Sequence, residues 1–131
     1  MLEVYVDGSS LSNPGPAGAG VVIYRKGRVI CQKSVYLGKT TNNVAEYMAL
    51  ILALQEVLSM KDEEVSVYAD SELVVQQVKG KYKVKNERLY TLNILAKHLV
   101  GLIGKLSLLH KGREENKQAD LLARQAAKNR C

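Results

Sequence analysis

The chain has 131 residues, of which 47% are hydrophobic, so it can form one buried core and is not a disordered segment. Its formal net charge of +6 favours a polyanionic partner such as a nucleic acid. The sequence has no membrane-spanning run and no signal-peptide pattern at its start, so we expect a single cytoplasmic domain over residues 1–131 with no membrane partner.

The two cysteines do not form a metal-binding motif. Cys31 and Cys131 are far apart in the chain, and Cys131 is the last residue. Intracellular thiols are normally kept reduced, so we expect both cysteines to be free. The alternative, in a hyperthermophile, is a disulfide that ties down the C-terminus.

Hydrophobic patterns predict five strands and four helices. The strands cover residues 2–6, 19–24, 28–37, 65–69 and 106–109, and the helices cover residues 44–58, 71–78, 87–99 and 115–128. The second and third strands form a hairpin, which is antiparallel, whereas helices separate the first, fourth and fifth strands. Strands joined by helical crossovers pair in parallel. We therefore expect an α/β fold with a mixed five-stranded sheet and helices on both faces.

Two carboxylates stand where predicted strands end. Asp7 directly follows the first strand and precedes a Gly-Ser-Ser sequence. Asp70 directly follows the fourth strand and precedes Ser71. Ligands of open α/β sheets bind beyond the carboxyl ends of the strands. Two simpler roles stay open: Asp7 can begin a turn, and Asp70 can cap the helix that starts at Ser71.

Two further acids lie among apolar residues of predicted helices. Glu46 falls in the first turn of the helix over residues 44–58, and Asp120 falls in the first turns of the last helix. Alternatively, Glu46 completes a capping box that begins at Asn43, and Asp120 complements the helix dipole.

The four carboxylates would repel one another if they converged, and divalent cations with oxygen ligands would relieve that repulsion. Two Mg²⁺ ions about 3.5–4 Å apart can hold the attacking and leaving oxygens of a phosphodiester. A basic domain with an acidic site suits this chemistry.

Four segments resemble the signature blocks of type 1 ribonuclease H, in family order and with family-like spacing. They are VDGSSLSNPGPAGAG, TTNNVAEYMALILAL, VYADSELVVQQV and REENKQADLLA. The similarity covers nearly the whole chain and is to the shorter members, including archaeal ones, which lack the basic protrusion of some bacterial members. It implies a ribonuclease H-like fold and an endonuclease that hydrolyses the RNA strand of RNA/DNA hybrids, leaving 5′-phosphate and 3′-hydroxyl ends.

The resemblance assigns Asp7, Glu46, Asp70 and Asp120 as ligands of two Mg²⁺ or Mn²⁺ ions that bind with the substrate. It implies that Asp7 bridges both ions and that Asp120 holds the second. Glu46 and Asp70 help to orient the attacking water.

Two rival functions stay open. One is a nuclease of the same fold that cuts double-stranded RNA or junction DNA, and the other is a non-catalytic hybrid-binding module. A module without catalysis has no use for four acids, which argues against the second. We expect a monomer whose partner is an RNA/DNA hybrid, with double-stranded RNA as a further substrate to test. We expect no N-terminal hybrid-binding domain before residue 1.

Six residues match family positions that contact the hybrid. Thr41 matches a residue of the pocket for a phosphate of the DNA strand, and the other five are Gly8, Asn13, Asn42, Asn43 and Gln76. Amides and hydroxyls suit this role because they can bond bases, phosphates and the 2′-hydroxyl that identifies RNA. Their alternative is ordinary turn and cap chemistry. Where many relatives have Gln, this chain has Glu72, which would alter minor-groove contacts.

Two residues before the last helix compete for a catalytic role. His110 matches the mobile histidine that bacterial relatives place near the leaving group, whereas shorter members often carry Arg where Arg113 stands. A structural role for His110 is equally open, because it directly follows the fifth predicted strand.

Residues 79–88, KGKYKVKNER, occupy the place of the basic protrusion. Lys81, Lys83 and Lys85 alternate after Lys79, so an extended segment would point all four side chains the same way. We expect these lysines to follow the phosphate backbone of the hybrid. The alternative is a solvated charged loop.

Overall fold

The computed structural model describes residues 1–61 and 64–129. The strands are β1 (Leu2–Ser10), β2 (Gly15–Arg25), β3 (Arg28–Thr40), β4 (Val65–Ala69) and β5 (Leu106–His110), and the helices are α1 (Asn42–Met60), α2 (Glu72–Val78), α3 (Glu87–Leu102) and α4 (Lys117–Asn129). A 3₁₀ turn, Arg113–Glu115, precedes α4. Within the described ranges, no helix combines the length and hydropathy needed to cross a membrane. Cys31 has no disulfide partner among the described residues, and Cys131 lies outside them.

The strands form one mixed sheet in the order β3-β2-β1-β4-β5. β1 pairs in parallel with β4, and β4 pairs in parallel with β5. β2 is antiparallel to both of its neighbours. The expected five-stranded mixed sheet with its hairpin is confirmed. Because β1 is the central strand, residues from both halves of the chain meet beside it.

Helices cover both faces of the sheet, and two glycines show where they approach. A Cβ on Gly8 would collide with the α1 backbone at Ala45, whereas a Cβ on Gly20 would collide with the α4 backbone at Ala119. Gly8 pairs with Ala19, the neighbour of Gly20, and adjacent residues of a strand point to opposite faces. α1 and α4 therefore pack on opposite faces, as expected.

The main core lies between the sheet and α1. Its largest fully buried side chains include Tyr47, Leu50 and Leu54 of α1 and Val4 and Val6 of β1. Burying apolar side chains of this size stabilises a fold by about 1.5–3 kcal/mol each. The core therefore fixes α1 against the central strand.

The first strands are longer than predicted. β1 continues through the Gly-Ser-Ser sequence to Ser10, because these residues pair with residues 17–19 of β2. β2 accordingly begins at Gly15, and β3 continues to Thr40. Gly and Ser favour turns in isolation, but here cross-strand partners hold them extended.

Two helix starts also differ from the prediction by two residues. α1 begins at Asn42, two residues early, because the Thr41 hydroxyl caps it by accepting from the Val44 N–H at 3.3 Å. Glu46 therefore lies in the second turn. The last helix begins at Lys117, two residues late, because the 3₁₀ turn takes residue 115.

Candidate active site

Asp7 lies inside β1, three residues before the strand ends. The prediction that Asp7 ends the strand is therefore wrong, since pairing with β2 keeps residues 8–10 extended. Pairing with the shorter β4, however, stops one residue before Asp7, and Asp70 directly follows β4. Asp7 and Asp70 thus stand just beyond the paired part of two adjacent parallel strands. Asp7 is only 4% exposed.

Glu46 reaches from α1 to the central strand. Its Oε1 accepts a hydrogen bond from the Gly8 N–H at 2.7 Å. The capping-box alternative for Glu46 is wrong, because Thr41 caps α1 and Glu46 bonds to β1 instead. The close packing that only a glycine at position 8 permits brings α1 near enough for this bond.

Asp70 completes a group of three acids. Oxygens of the Asp7, Glu46 and Asp70 carboxyls lie within 4.8 Å of one another. The alternative that Asp70 caps α2 is wrong, because the Ser71 hydroxyl accepts from the Val74 N–H at 3.3 Å. The carboxyl of Asp70 lies instead beside those of Asp7 and Glu46.

Asp120 lies beside these three acids, in the first turn of α4. Its side chain lines the same cleft as theirs and adds to the rise in the pKa of Asp7. Its Oδ1 also accepts from Arg124 Nε at 3.1 Å, one turn later in the helix. The structure thus brings all four predicted acids together, one from each of four separate elements or their ends.

The carboxyls of the cleft shift one another's pKa values. Burial raises the pKa of Asp7, and the hydrogen bond and charge of Glu46 raise it further. Burial also raises the pKa of Glu46 to about 7, and the charge of Asp70 adds to that rise. Ionised carboxylates this close need a compensating positive charge. A donor set made only of carboxylate oxygens fits a hard divalent cation such as Mg²⁺ or Mn²⁺.

The acids lie in an open cleft of about 370 Å³. Its lining residues are Asp7, Gly8, Ser9, Ser10, Asn42, Glu46, Asp70, Ser71, Arg113, Asp120 and Arg124. Sequence reasoning missed four of them: the three serines and Arg124. The sequence does contain a pattern that predicts the position of Arg124. It lies four positions after Asp120, and residues at this spacing in a helix face one another.

Arg113 and His110 both approach Asp70, by different contacts. Arg113 lines the cleft, with its Nε 3.9 Å from Asp70 Oδ2, and its side chain is 73% exposed. The ring of His110 instead lies with Nε2 3.2 Å from the Asp70 carbonyl oxygen. Arg113 can therefore reach a ligand in the cleft, whereas the ring of His110 contacts the backbone.

The predicted hybrid-contacting residues fall in three places, the first of which is the acidic cleft. Asn42 and Gly8 line the cleft with the acids. Asn42 donates its backbone N–H to Asn13 Oδ1 at 3.0 Å and accepts from the Ser10 N–H at 2.9 Å through its own Oδ1. These bonds join the β1–β2 loop to the start of α1 beside the cleft.

Thr41 and Asn43 belong to a second, adjacent groove. The start of α3 forms its other side, through residues 86–89. Asn86 caps α3 by accepting from the N–H groups of Arg88 and Leu89. The two helix starts thus form a polar groove next to the acidic cleft.

Gln76 and the lysines after α2 are not among the residues that line the acidic cleft. Gln76 Oε1 is buried without a hydrogen-bond partner among the described residues, and the Gln76 carbonyl accepts from the N–H groups of Lys81 and Tyr82. Lys81, Lys83 and Lys85 are exposed. The segment is not extended from Lys79 onward, because residues 79–80 form a turn that folds the chain back over α2, so Lys79 does not share the alternation of the other lysines.

Comparisons with known proteins give one consistent family. The RNase H family model matches residues 1–128. A bifunctional protein of Mycobacterium tuberculosis is 37% identical over 127 residues, which are 95% of this chain and 35% of that protein. The chain therefore spans about a third of the length of this relative.

Solved structures agree with the family match. The RNase H1 of the archaeon Halobacterium salinarum is 32% identical, with a TM-score of 0.93 over 98% of both chains. LC11-RNase H1, solved in complex with an RNA/DNA hybrid, is 41% identical, with a TM-score of 0.92 over 98% of both chains. The fold and the cleft of acids agree with the family model, which matches nearly the whole length of the chain. The chain therefore belongs to the RNase H family.

Proposed function

We propose that this protein is an endoribonuclease that hydrolyses the RNA strand of RNA/DNA hybrids with the help of divalent cations. The observation that carries the proposal is the convergence of three carboxyls within 4.8 Å, with Asp120 beside them, in an open cleft of a chain with a net charge of +6. The hybrid bound to the similar LC11-RNase H1 supports the substrate class.

Asp7, Glu46, Asp70 and Asp120 would hold two Mg²⁺ or Mn²⁺ ions when the substrate binds. Such ions activate a water and stabilise the leaving oxygen of a phosphodiester. The fold supplies rigid placement: the central strand carries Asp7, and a backbone hydrogen bond from that strand orients Glu46. The products are expected to carry 5′-phosphate and 3′-hydroxyl ends.

Arg113 is the residue of the 111–116 loop that we assign to the reacting phosphate. Its side chain is exposed and lines the cleft close to Asp70. A guanidinium can bind two phosphate oxygens at once. His110 is the alternative, through a movement of its ring away from the Asp70 carbonyl.

The polar residues around the cleft would bind the hybrid. Gly8, Asn13 and Asn42 lie at the edge of the cleft, where they could bond the RNA strand and its 2′-hydroxyls. Thr41 and Asn43, in the second groove, would bind the DNA strand. Gln76 and the exposed Lys81, Lys83 and Lys85 would extend the contact along the phosphate backbone.

A cleavage assay tests this function. The substrates are an RNA/DNA hybrid, double-stranded RNA, junction DNA and duplex DNA, each with Mg²⁺, with Mn²⁺ and with EDTA. We expect cation-dependent cleavage of the RNA strand of the hybrid and none by Asp70→Asn, which leaves the fold intact because it removes one of several repelling charges.

Three results would contradict the proposal. Preferred cleavage of double-stranded RNA or junction DNA would assign another specificity to the same fold. Binding of the hybrid without cleavage would favour a non-catalytic module. If folded Asp70→Asn cleaved the hybrid at the wild-type rate, cleavage would not depend on the acidic cleft. Gel filtration of the same samples tests the expected monomer.

A further inference from the structure

Asn116 is a buried polar residue that has no part in the mechanism described so far. It lies between the 3₁₀ turn and α4, and only 1% of its surface is exposed. It is four residues from Asp120 and three from Arg113. Its place in the chain is therefore between two residues assigned to the cleft.

Asn116 joins three segments that carry site residues. Its side-chain Nδ2 donates to the Val6 carbonyl at 2.7 Å, directly before Asp7 in β1. Its backbone carbonyl accepts from the Asp120 N–H at 3.1 Å, and its backbone N–H donates to the Arg113 carbonyl at 3.0 Å. One residue thus links the central strand, the 3₁₀ turn and the start of α4.

The other group of this side chain is unsatisfied. The Oδ1 of Asn116 is buried and has no hydrogen-bond partner within the described part of the chain. A buried acceptor without a donor costs stability, so an amide is a poor choice here for stability alone. The side chain makes its one hydrogen bond where β1 passes from the core to Asp7.

The loop over residues 111–116 is held separately at its other end. The Lys111 N–H donates to the Ala69 carbonyl at 2.9 Å. The Lys111 Nζ lies 4.1 Å from the centre of the Tyr68 ring and 3.2 Å from the Tyr5 hydroxyl. Loss of the Asn116 contact would therefore free only the end of the loop that leads into α4.

We propose that Asn116 is a positioning residue. Its bond to the Val6 carbonyl sets the distance of Asp120 and Arg113 from Asp7. The cation ligands and the phosphate-binding guanidinium are thereby held in fixed positions relative to one another. The inference rests on the proposed function, because positioning matters only if the cleft binds cations and substrate. Partners that orient ligands in this way are worth about 10–100-fold in affinity or activity when removed.

The test compares Asn116→Ala with Asn93→Ala. Asn93 is a matched control, because it is 4% exposed and donates a single hydrogen bond through Nδ2, to the Tyr47 hydroxyl at 3.2 Å, in the core on the other side of the sheet from α4. Both variants lose a buried amide, so both should lose thermal stability. Steady-state cleavage of the hybrid and calorimetric binding of Mn²⁺ without substrate are then measured well below both melting temperatures.

We expect Asn116→Ala to lower kcat by about 10–100-fold with little change in KM, and to weaken Mn²⁺ binding, whereas Asn93→Ala resembles the wild type in both. We also expect Arg113→Ala to cost less in the Asn116→Ala background than in the wild type, since coupled residues are not additive. A merely structural Asn116 would leave the cost of Arg113→Ala unchanged.

Equal kcat and equal Mn²⁺ affinity in the two Asn variants would overturn the inference while leaving the proposed function intact. If the wild type binds Mn²⁺ but does not cleave the hybrid, the proposed function fails, and the Mn²⁺ comparison still decides the role of Asn116 in placing the ligands. Should Asn116→Ala not fold, Asn116→Ser serves instead, because Ser suits a helix start but is too short to reach the Val6 carbonyl.

Discussion

The backbone N–H of Gly8 donates to Oε1 of Glu46 across 2.7 Å, and this bond joins the centre of the sheet to the first long helix. The bond requires the two backbones to approach so closely that a Cβ at position 8 would collide with Ala45 and with the N–H of Glu46. The position of a proposed cation ligand on α1 is thus set by the absence of a side chain on β1.

Gly8→Ala should therefore lower both stability and activity. Overpacking of a tight contact typically costs about 1–3 kcal/mol, and here the shift would move Glu46 away from the other acids. Urea denaturation and hybrid cleavage measure the two effects. Gly101→Ala is the control, because no atom of the residues that the structure describes would contact its added Cβ within 4 Å in α3, and a helical Gly→Ala change stabilises by about 0.5–1 kcal/mol. Normal cleavage by Gly8→Ala would show that α1 can move without cost.

The metal-free protein should lose stability as the pH rises from about 4.5 to about 7. The native pKa of Glu46 is raised from 4.5 to about 7, and that of Asp7 is raised as well, so the native state binds protons that the unfolded state has already released. Where the native state binds more protons, the free energy of unfolding falls as pH rises. Urea denaturation in EDTA across this range measures the slope.

The Asp7→Asn variant separates this effect from the titration of other carboxyls. Because it removes one of the two carboxyls whose pKa is raised in the native state, its stability should fall less with pH than that of the wild type. Mg²⁺ at neutral pH should stabilise the wild type more than the variant, since ligands that bind only the native state stabilise it. If the free energy of unfolding had the same pH dependence in the two proteins, the acids would not destabilise the protein in the absence of cations.

Arg113→Ala should reduce turnover more than His110→Ala does. The guanidinium lines the cleft, whereas the His110 ring contacts a backbone carbonyl. A hydrogen bond to a charged group is worth about 1.5–3 kcal/mol, which corresponds to a loss of about 10–100-fold in rate. Single-turnover cleavage at saturating enzyme measures this loss directly. The opposite ranking would assign the role to His110.

Changing Lys81, Lys83 and Lys85 together to Gln should raise KM and flatten its dependence on salt. Each phosphate that a lysine neutralises contributes about 0.9 to the salt slope on a B-form duplex, so loss of these contacts is visible between about 50 and 200 mM salt. The rate at saturating hybrid should hardly change, because the acids are untouched.

A second triple variant provides the control for the lysine prediction. Lys26, Lys61 and Lys105 are also exposed, but they lie in connections at the opposite end of the sheet from Asp7. Their change to Gln removes the same charge and should leave the salt slope unaltered. Equal slopes in the two triple variants would mean that only net charge matters.

The sequence predicts the sheet well because its strands are apolar and its helices are periodic, so β4 is placed to the residue. The strand ends are harder, since Gly8 and its serines are extended only by virtue of a partner in β2. The four acids could be found because carboxylates among apolar neighbours are conspicuous.

Other site residues are visible only in three dimensions. Arg124 looks like any surface arginine of an amphipathic helix until α4 packs beside the cleft. Asn116 looks like a helix-start residue, and its contact with Val6 spans 110 positions of the chain. Long-range contacts of this kind leave no local pattern in the sequence.

The central position of β1 also decides where the chain can be tethered. β1 starts at Leu2, whose N–H donates to the Glu64 carbonyl, and Asp7 lies five residues further along the strand, or roughly 17 Å at the usual rise. Anything fused ahead of Met1 therefore leaves the molecule at the end of the sheet remote from the acids. The protein can be immobilised through its N-terminus on a surface or a bead with its cleft facing the solution.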